Sequence, residues 1–226
     1  YMGFDHVEMM LLGHNWFLPE EPPRGQHYER WFFADGRGHE KNAAYQQNGR
    51  DTKGAAQTHH SMLPVAWHNS TWTADRAIAW MRDRPEDAKP FCGWVSFPDP
   101  HHPFDAPEPW SRLHAPEEVD LPEHRTRDFE GRPWWHEAVM TSEPAGEAEH
   151  ANIRKNYSRI PPQSDAQLRE IIANTYGQIA LIDHQVGRLM NCLDEMGLAE
   201  NIIIVYASDN GDRPRDDGLV RTRPNH

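Results

Sequence analysis

Between Ser164 and Ala207 the sequence specifies one long amphipathic helix followed by one short apolar strand, and that succession restricts the fold more than any other feature. Ser164-Asp165-Ala166-Gln167 fits a capping box, in which a hydroxyl and an amide side chain satisfy each other's backbone N–H groups. Leu168, Ile171, Ile172, Ile179, Ile182, Val186, Leu189, Met190 and Leu193 then recur at three- and four-residue spacing. Gly197 supplies the residue that closes such a helix. Asn201 leads into Ile202-Ile203-Ile204-Val205-Tyr206-Ala207, whose side chains favour a buried strand. The same order occurs earlier. Ser70-Thr71-Trp72-Thr73-Ala74-Asp75 starts a helix whose apolar face is Ala74, Ala77, Ile78 and Met81 and which ends near Pro85. Residues 91–97 then read as a second buried strand. Helix then strand, twice, predicts an α/β fold with a mainly parallel sheet.

The remainder is less regular. Gly3-Phe4-Asp5-His6-Val7 reads as a strand or its approach. Residues 13–68 and 107–162 are loop-rich, because prolines and glycines interrupt any period; residues 134–140 are a candidate short helix. With 226 residues the chain suffices for one large domain or most of one. Nineteen prolines and nine tryptophans fit long loops around a modest core. The net charge of −12 opposes a broad nucleic-acid footprint, which requires basic charge. No stretch is long and apolar enough to span a membrane. Cys92 falls in a predicted core strand and Cys192 in a predicted helix, so both are expected as buried free thiols. No Gly-x-Ser-x-Gly elbow, phosphate-binding P-loop or Gly-x-Gly-x-x-Gly fingerprint is present.

Polar clusters stand at both predicted strand ends. Asp99, His101 and His102 follow Phe97; Asp209, Asn210 and Asp212 follow Ala207. On parallel strands the two clusters share the carboxyl edge, where open α/β sheets bind ligands. Asp209 and Asn210 offer hard oxygen donors that suit Ca²⁺ or Mg²⁺. A nearby imidazole could hydrogen-bond an anionic ester or protonate its leaving oxygen. The alternative for Ser208-Asp209-Asn210-Gly211 is a plain turn. His59-His60 and His101-His102 are either two halves of a transition-metal site or ordinary surface groups. Trp134-Trp135-His136 either lines a substrate mouth or anchors a loop. Asp183-His184 is expected as a buried or half-buried structural pair.

In their order, three motifs resemble those of the sulfatase family, in particular bacterial arylsulfatase-like and phosphonate-monoester-hydrolase-like enzymes. They are Lys89-Pro90-Phe91 through Asp99-Pro100-His101-His102-Pro103-Phe104, the helix Tyr176 to Arg188, and Ile204 through Asp212. The resemblance extends from about residue 3 to 212. It implies an alkaline-phosphatase-like three-layer α/β/α sandwich with a mainly parallel sheet. Residues 1–226 would be a partial catalytic domain, incomplete at both ends and without the family's smaller C-terminal subdomain. It also implies hydrolysis of a small sulfate ester by a formylglycine nucleophile and a divalent metal, most commonly Ca²⁺, with Mg²⁺ or Mn²⁺ as alternatives. Asp209 and Asn210 match metal ligands. His101 matches the histidine that contacts the sulfate and leaving group, with His102 beside it. Departures are equally clear. No Cys/Ser-x-Pro/Ala-x-Arg, early Asp-Asp or Gly-Lys-Trp-His motif is present. No lysine follows Asp212, where Arg221 and Arg223 are the nearest cations, and Arg221 is the candidate anion binder. The expectation is therefore that the nucleophile lies outside this chain and that the 226 residues alone are inactive. A phosphonate or phosphodiester hydrolase on the same scaffold, and a non-catalytic binding protein, are the alternative readings.

Overall fold

Two parallel helices organise the molecule, and the computed structural model describes residues 3–10, 22, 24–46, 53–85, 89–121, 130 and 163–208. Among the described residues the α-helices, in chain order, are α1 (His27–Ala34), α2 (Gly38–Gln46), α3 (Asn69–Arg82) and α4 (Asp165–Glu195). The long helix α4 forms as its sequence dictates. Ser164 Oγ accepts from the Gln167 N–H at 3.2 Å, and Gln167 Oε1 accepts from the Ser164 N–H at 2.8 Å. At the other end Gly197 takes φ +67°. Its N–H donates to Asp194 O at 2.9 Å and the Leu198 N–H to Leu193 O at 2.9 Å. Those two bonds satisfy carbonyls that the helix leaves open, and Leu198 packs on the Leu193 cluster as this closure requires.

Helices α3 and α4 run side by side in the same direction. Gln185 Nε2 donates to Thr71 Oγ1 at 3.3 Å, Arg188 Nη2 to Asp75 Oδ1 at 2.6 Å, and Arg82 Nη2 to Glu195 Oε2 at 2.7 Å. Paired numbers rise together, so the axes are parallel. Met81, Cys192 and Leu193 form the apolar seam between their carboxyl ends, with Ile202 packed on it. After α3 the chain turns back. Arg84 Nη2 bonds Lys89 O, the Phe91 ring meets Trp80 edge-on at 5.3 Å, and Asp99 reaches Ser70 at the start of α3. Residues 91–99 thus run the length of α3 in reverse. Residues 202–207 leave α4 from the same end, beside Met81, with Ile202 extended at φ −132°, ψ 143°. The helix-then-return order is traced by contacts after α3; after α4 the contacts locate Ile202, packed beside Met81.

Burial of the two predicted strands is a correction. Trp94 is 83% exposed and Ile203 91%, and Cys92 is exposed whereas Cys192 is buried. Neither segment joins a ladder among the described residues, where the named pairings are the parallel bridges Thr58↔Phe104 and Ser61↔Pro107. A strand of a parallel sheet is buried only when neighbouring strands flank it and helices cover both faces. Within the described residues α3 and α4 supply part of one cover.

Part of the 13–68 region is also more ordered than its sequence suggests. Helices α1 and α2 flank a turn whose Gly36 takes φ +73°. Tyr28 and Phe32, one turn apart on α1, pack edge-on against each other at 5.0 Å, and Tyr28 meets Trp72 of α3 at 5.4 Å. The prolines and glycines nearby hid an eight-residue helix held by aromatic burial rather than by length. Residues 107–121 contain two 3-10 turns, Trp110–Arg112 and Pro116–Glu118. The candidate helix at 134–140, with Trp134, Trp135 and His136, lies outside the described residues.

Candidate active site

The loop beyond Phe97 is built by three neighbours. From α4, the amide of Asn174 accepts the Ala106 N–H at 3.1 Å and donates to His59 O at 3.0 Å. Gln178 Nε2 donates to Pro103 O at 3.1 Å. From residues 57–61, Phe104 N–H donates to Gln57 O at 2.7 Å, His59 N–H to Phe104 O at 2.9 Å, and Ser61 N–H to Ala106 O at 3.1 Å. From α3, the Ser70 hydroxyl donates to Asp99 Oδ2. The backbone groups of Gln57, His59, Ser61, Pro103, Phe104 and Ala106 thereby find partners within the protein.

His101 and His102 sit on this frame. The His101 N–H closes a turn onto Pro98 O at 3.2 Å. The two rings stack with centroids 4.0 Å apart and planes 28° apart. His101 Nδ1 lies 2.6 Å from His102 O, which assigns Nδ1 as the protonated nitrogen. His101 is exposed and His102 half-buried, so His101 is the ring that can meet a ligand. The flanking Asp99–Pro100 and His102–Pro103 peptides are cis.

At the start of this loop lies a cluster of buried polar side chains around Asp99 that the sequence only partly signals. His68 Nδ1 lies 3.7 Å from Asp99 Oδ2 and accepts the Ser70 N–H at 3.3 Å. Burial pushes the Asp99 carboxyl up to about 7, against the hydrogen bond from Ser70 and helped by the charge of Asp105. Burial takes His68 down to about 3, with Lys41 adding to the effect. Lys41 itself, fully buried on α2, is lowered to about 8 by burial, against the pull of Asp105 and Glu29. His68 and Asp99 are therefore both uncharged near pH 6, and their proximity is not an ion pair.

Opposed pH dependences follow. Asp99 is raised from 3.8, so its contribution to stability is present below that value and is lost as pH rises through about 7. His68 is lowered from 6.5, so its contribution is present above 6.5 and is lost as pH falls through about 3. Each slope approaches about 1.4 kcal/mol per pH unit, and they offset between the two windows. Asp99→Asn removes one of them. Chemical unfolding of that variant at pH 6.5 and 4.5 is expected to show an extra loss on acidification, on the order of 1–3 kcal/mol relative to wild type. Equal acid sensitivity of the two proteins would count against a neutral buried pair.

The structure locates the other candidates unevenly. Asp209, Asn210 and Arg221 lie outside the described residues. His59-His60 runs beside the segment following His101-His102, through the isolated bridge Thr58↔Phe104, yet among the described residues no group of three or more His, Cys, Asp or Glu is placed to hold a metal. Asp183 and His184, expected as buried or half-buried, are exposed; His184 instead rests on the Trp110 ring at 5.3 Å. Sequence reasoning did not single out Lys41, His68 or Ser70 as members of a buried cluster. Their sole signal was the helix start at Ser70 and Thr71, where His68 proves to be the N-cap.

Comparison with known proteins gives the class. A family model for sulfatases matches residues 10–224, and the chain belongs to the sulfatase family. An arylsulfatase of Clostridium perfringens is 30% identical over 155 residues, 68% of this chain and 28% of that protein. Human iduronate 2-sulfatase is 28% identical over 144 residues, 62% of this chain and 25% of that protein. The chain thus spans about a quarter of the length of these relatives. Among solved structures, the phosphonate monoester hydrolase of Agrobacterium radiobacter superposes with a TM-score of 0.64 at 20% identity, covering 92% of this chain and 40% of that one. The fold class is accordingly that of the alkaline-phosphatase-like hydrolases.

Proposed function

We propose that this chain is part of a sulfuric ester hydrolase and carries its leaving-group histidine and half of its metal site. The observation that carries this reading is the placement of His101: exposed, on a loop tied to both α3 and α4, immediately beyond a returning segment of an α/β unit. With its Nδ1–H held by His102 O, an imidazolium there can present Nε2–H to the bridging oxygen of a sulfate ester and give up that proton as the S–O bond breaks, leaving the neutral ring. Arg221 is the candidate for orienting the anionic sulfate. The donor set of Asp209 and Asn210, two hard oxygens, fits Ca²⁺, Mg²⁺ or Mn²⁺ in kind. A divalent ion held there would offset charge on the non-bridging oxygens. The nucleophile, a formylglycine on this reading, is assigned to residues other than these 226.

A phosphonate or phosphodiester hydrolase is the second reading, favoured by the structural likeness to phosphonate monoester hydrolase. Parallel assays of the intact protein on an aryl sulfate and an aryl phosphonate monoester separate the two. Sulfate preference is expected; phosphonate preference would reverse the assignment, and turnover of neither would favour the non-catalytic alternative. The 226 residues alone are expected to show no aryl-sulfate turnover above background and weak Ca²⁺ binding by calorimetry. Clear turnover would place the nucleophile within the chain, and submicromolar affinity would contradict a half-site.

A further inference from the structure

The three residue types of a hydrolytic triad, Ser70, His68 and Asp99, meet in the buried cluster at the start of the His101 loop, but the geometry is wrong for nucleophilic attack. The Ser70 hydroxyl donates to Asp99 rather than to His68, and His68 Nδ1 faces the Ser70 backbone N–H. Ser70 and His68 are fully buried, so no ester can reach the hydroxyl. What the cluster does is fix a corner. Asp99, itself buried, is the residue at which the returning segment turns into the loop, and it stands two positions before His101. Its carboxyl is held by the Ser70 hydroxyl and, through a further side-chain hydrogen bond, by Asn69. Asn69 Oδ1 in turn accepts the Ser70 N–H at 2.6 Å. The corner is therefore bound to the first turn of α3, while Asn174 and Gln178 of α4 hold the loop further along, at Ala106 and Pro103.

We propose that Ser70 is a positioning residue for His101, acting through the Asp99 carboxyl to set where the His101 ring stands at the loop surface. The proposal rests on the sulfatase reading for its catalytic consequence, although its structural content does not. Displacing a catalytic group by about 1 Å can cost up to about a hundredfold in rate. Loss of the Ser70 hydroxyl frees one oxygen of Asp99 and lets the corner relax, which moves His101 without touching it. A purely structural role would lower the folded fraction and reduce turnover of every ester by one factor. Misplacement of a proton donor instead penalises esters whose leaving group most needs the proton.

The test uses Ser70→Ala in the intact protein, with Asp99→Asn as a second variant that keeps the volume and can still accept the Ser70 hydroxyl. Ser70→Ala is expected to lower kcat on phenyl sulfate by about ten- to a hundredfold, with KM within about twofold and a smaller loss on p-nitrophenyl sulfate. It is also expected to shift the His101 ring resonances in ¹H–¹⁵N spectra of the folded protein. Asp99→Asn is expected to retain most of the wild-type leaving-group dependence. Equal losses on both esters, or unmoved His101 resonances in folded Ser70→Ala, would overturn the proposal. Should Ser70→Ala fail to fold, a steepened leaving-group dependence in Asp99→Ala supports the proposal and an unchanged one overturns it. A shifted His101 ring combined with no effect of His101→Ala on sulfate turnover would uphold the corner and refute the sulfatase reading.

Discussion

Replacing His101 by alanine in the intact protein is expected to reduce phenyl sulfate turnover by about 10²–10⁴-fold, the usual worth of a positioned proton donor. The loss should shrink for p-nitrophenyl sulfate, because a weakly basic phenolate departs without protonation. The comparison of the two esters is thus more diagnostic than either rate. His102→Ala is expected to cost less, since its ring is half-buried beneath His101 and its backbone carbonyl, which faces His101 Nδ1, survives the change. A Brønsted plot of rate against leaving-group pKa for the three proteins checks this. Similar slopes for wild type and His101→Ala would remove His101 from the chemistry.

A second large effect is expected on α4, at Gly177. A Cβ there would lie 2.3 Å from Trp110 O and 3.0 Å from its carbonyl carbon. Those are backbone atoms of the 3-10 turn, so no side-chain rotation relieves the overlap. Alanine would gain about 1 kcal/mol from helix propensity. Against that, forcing the turn off α4 belongs at or beyond the upper end of the usual overpacking cost of about 1–3 kcal/mol. A net loss of about 2 kcal/mol corresponds to a Tm lower by about 4–8 °C at this chain length. Gly187, ten residues along the same helix, has open space where a Cβ would stand. Gly187→Ala should therefore raise Tm, and thermal melts of the two variants give opposite signs. A rise for Gly177→Ala would mean that α4 and the turn do not approach as closely as described.

Much of this was legible in the sequence. The ends of α4 followed from Ser164, Gln167 and Gly197, because capping chemistry is local and specific. The order of helix and returning segment was readable because apolar periodicity survives without knowledge of neighbours. Burial of residues 91–97 and 202–207 was not, since it depends on strands beside them and layers across them rather than on their own side chains. The apolar stripe of α4 was misdrawn in part: Ile179 is exposed, while Asn174, Gln178 and Gln185 are buried. Amides on a buried stripe look like interruptions of a pattern until the loop backbones they bind are visible. The Pro-His-His-Pro loop announced His101. The contact between Ser70 and Asp99 spans 29 positions and follows no period.

Asn174 has a consequence for how much its position can vary. It is almost wholly buried and uses one side-chain oxygen and one side-chain nitrogen on two different segments. Aspartate lacks the donor, leucine lacks both groups, and glutamine sets the amide one methylene further out. A side chain of that size with one donor and one acceptor set side by side is what the site requires, so the position is constrained as a ligand would be, although its partners are backbone groups of two segments.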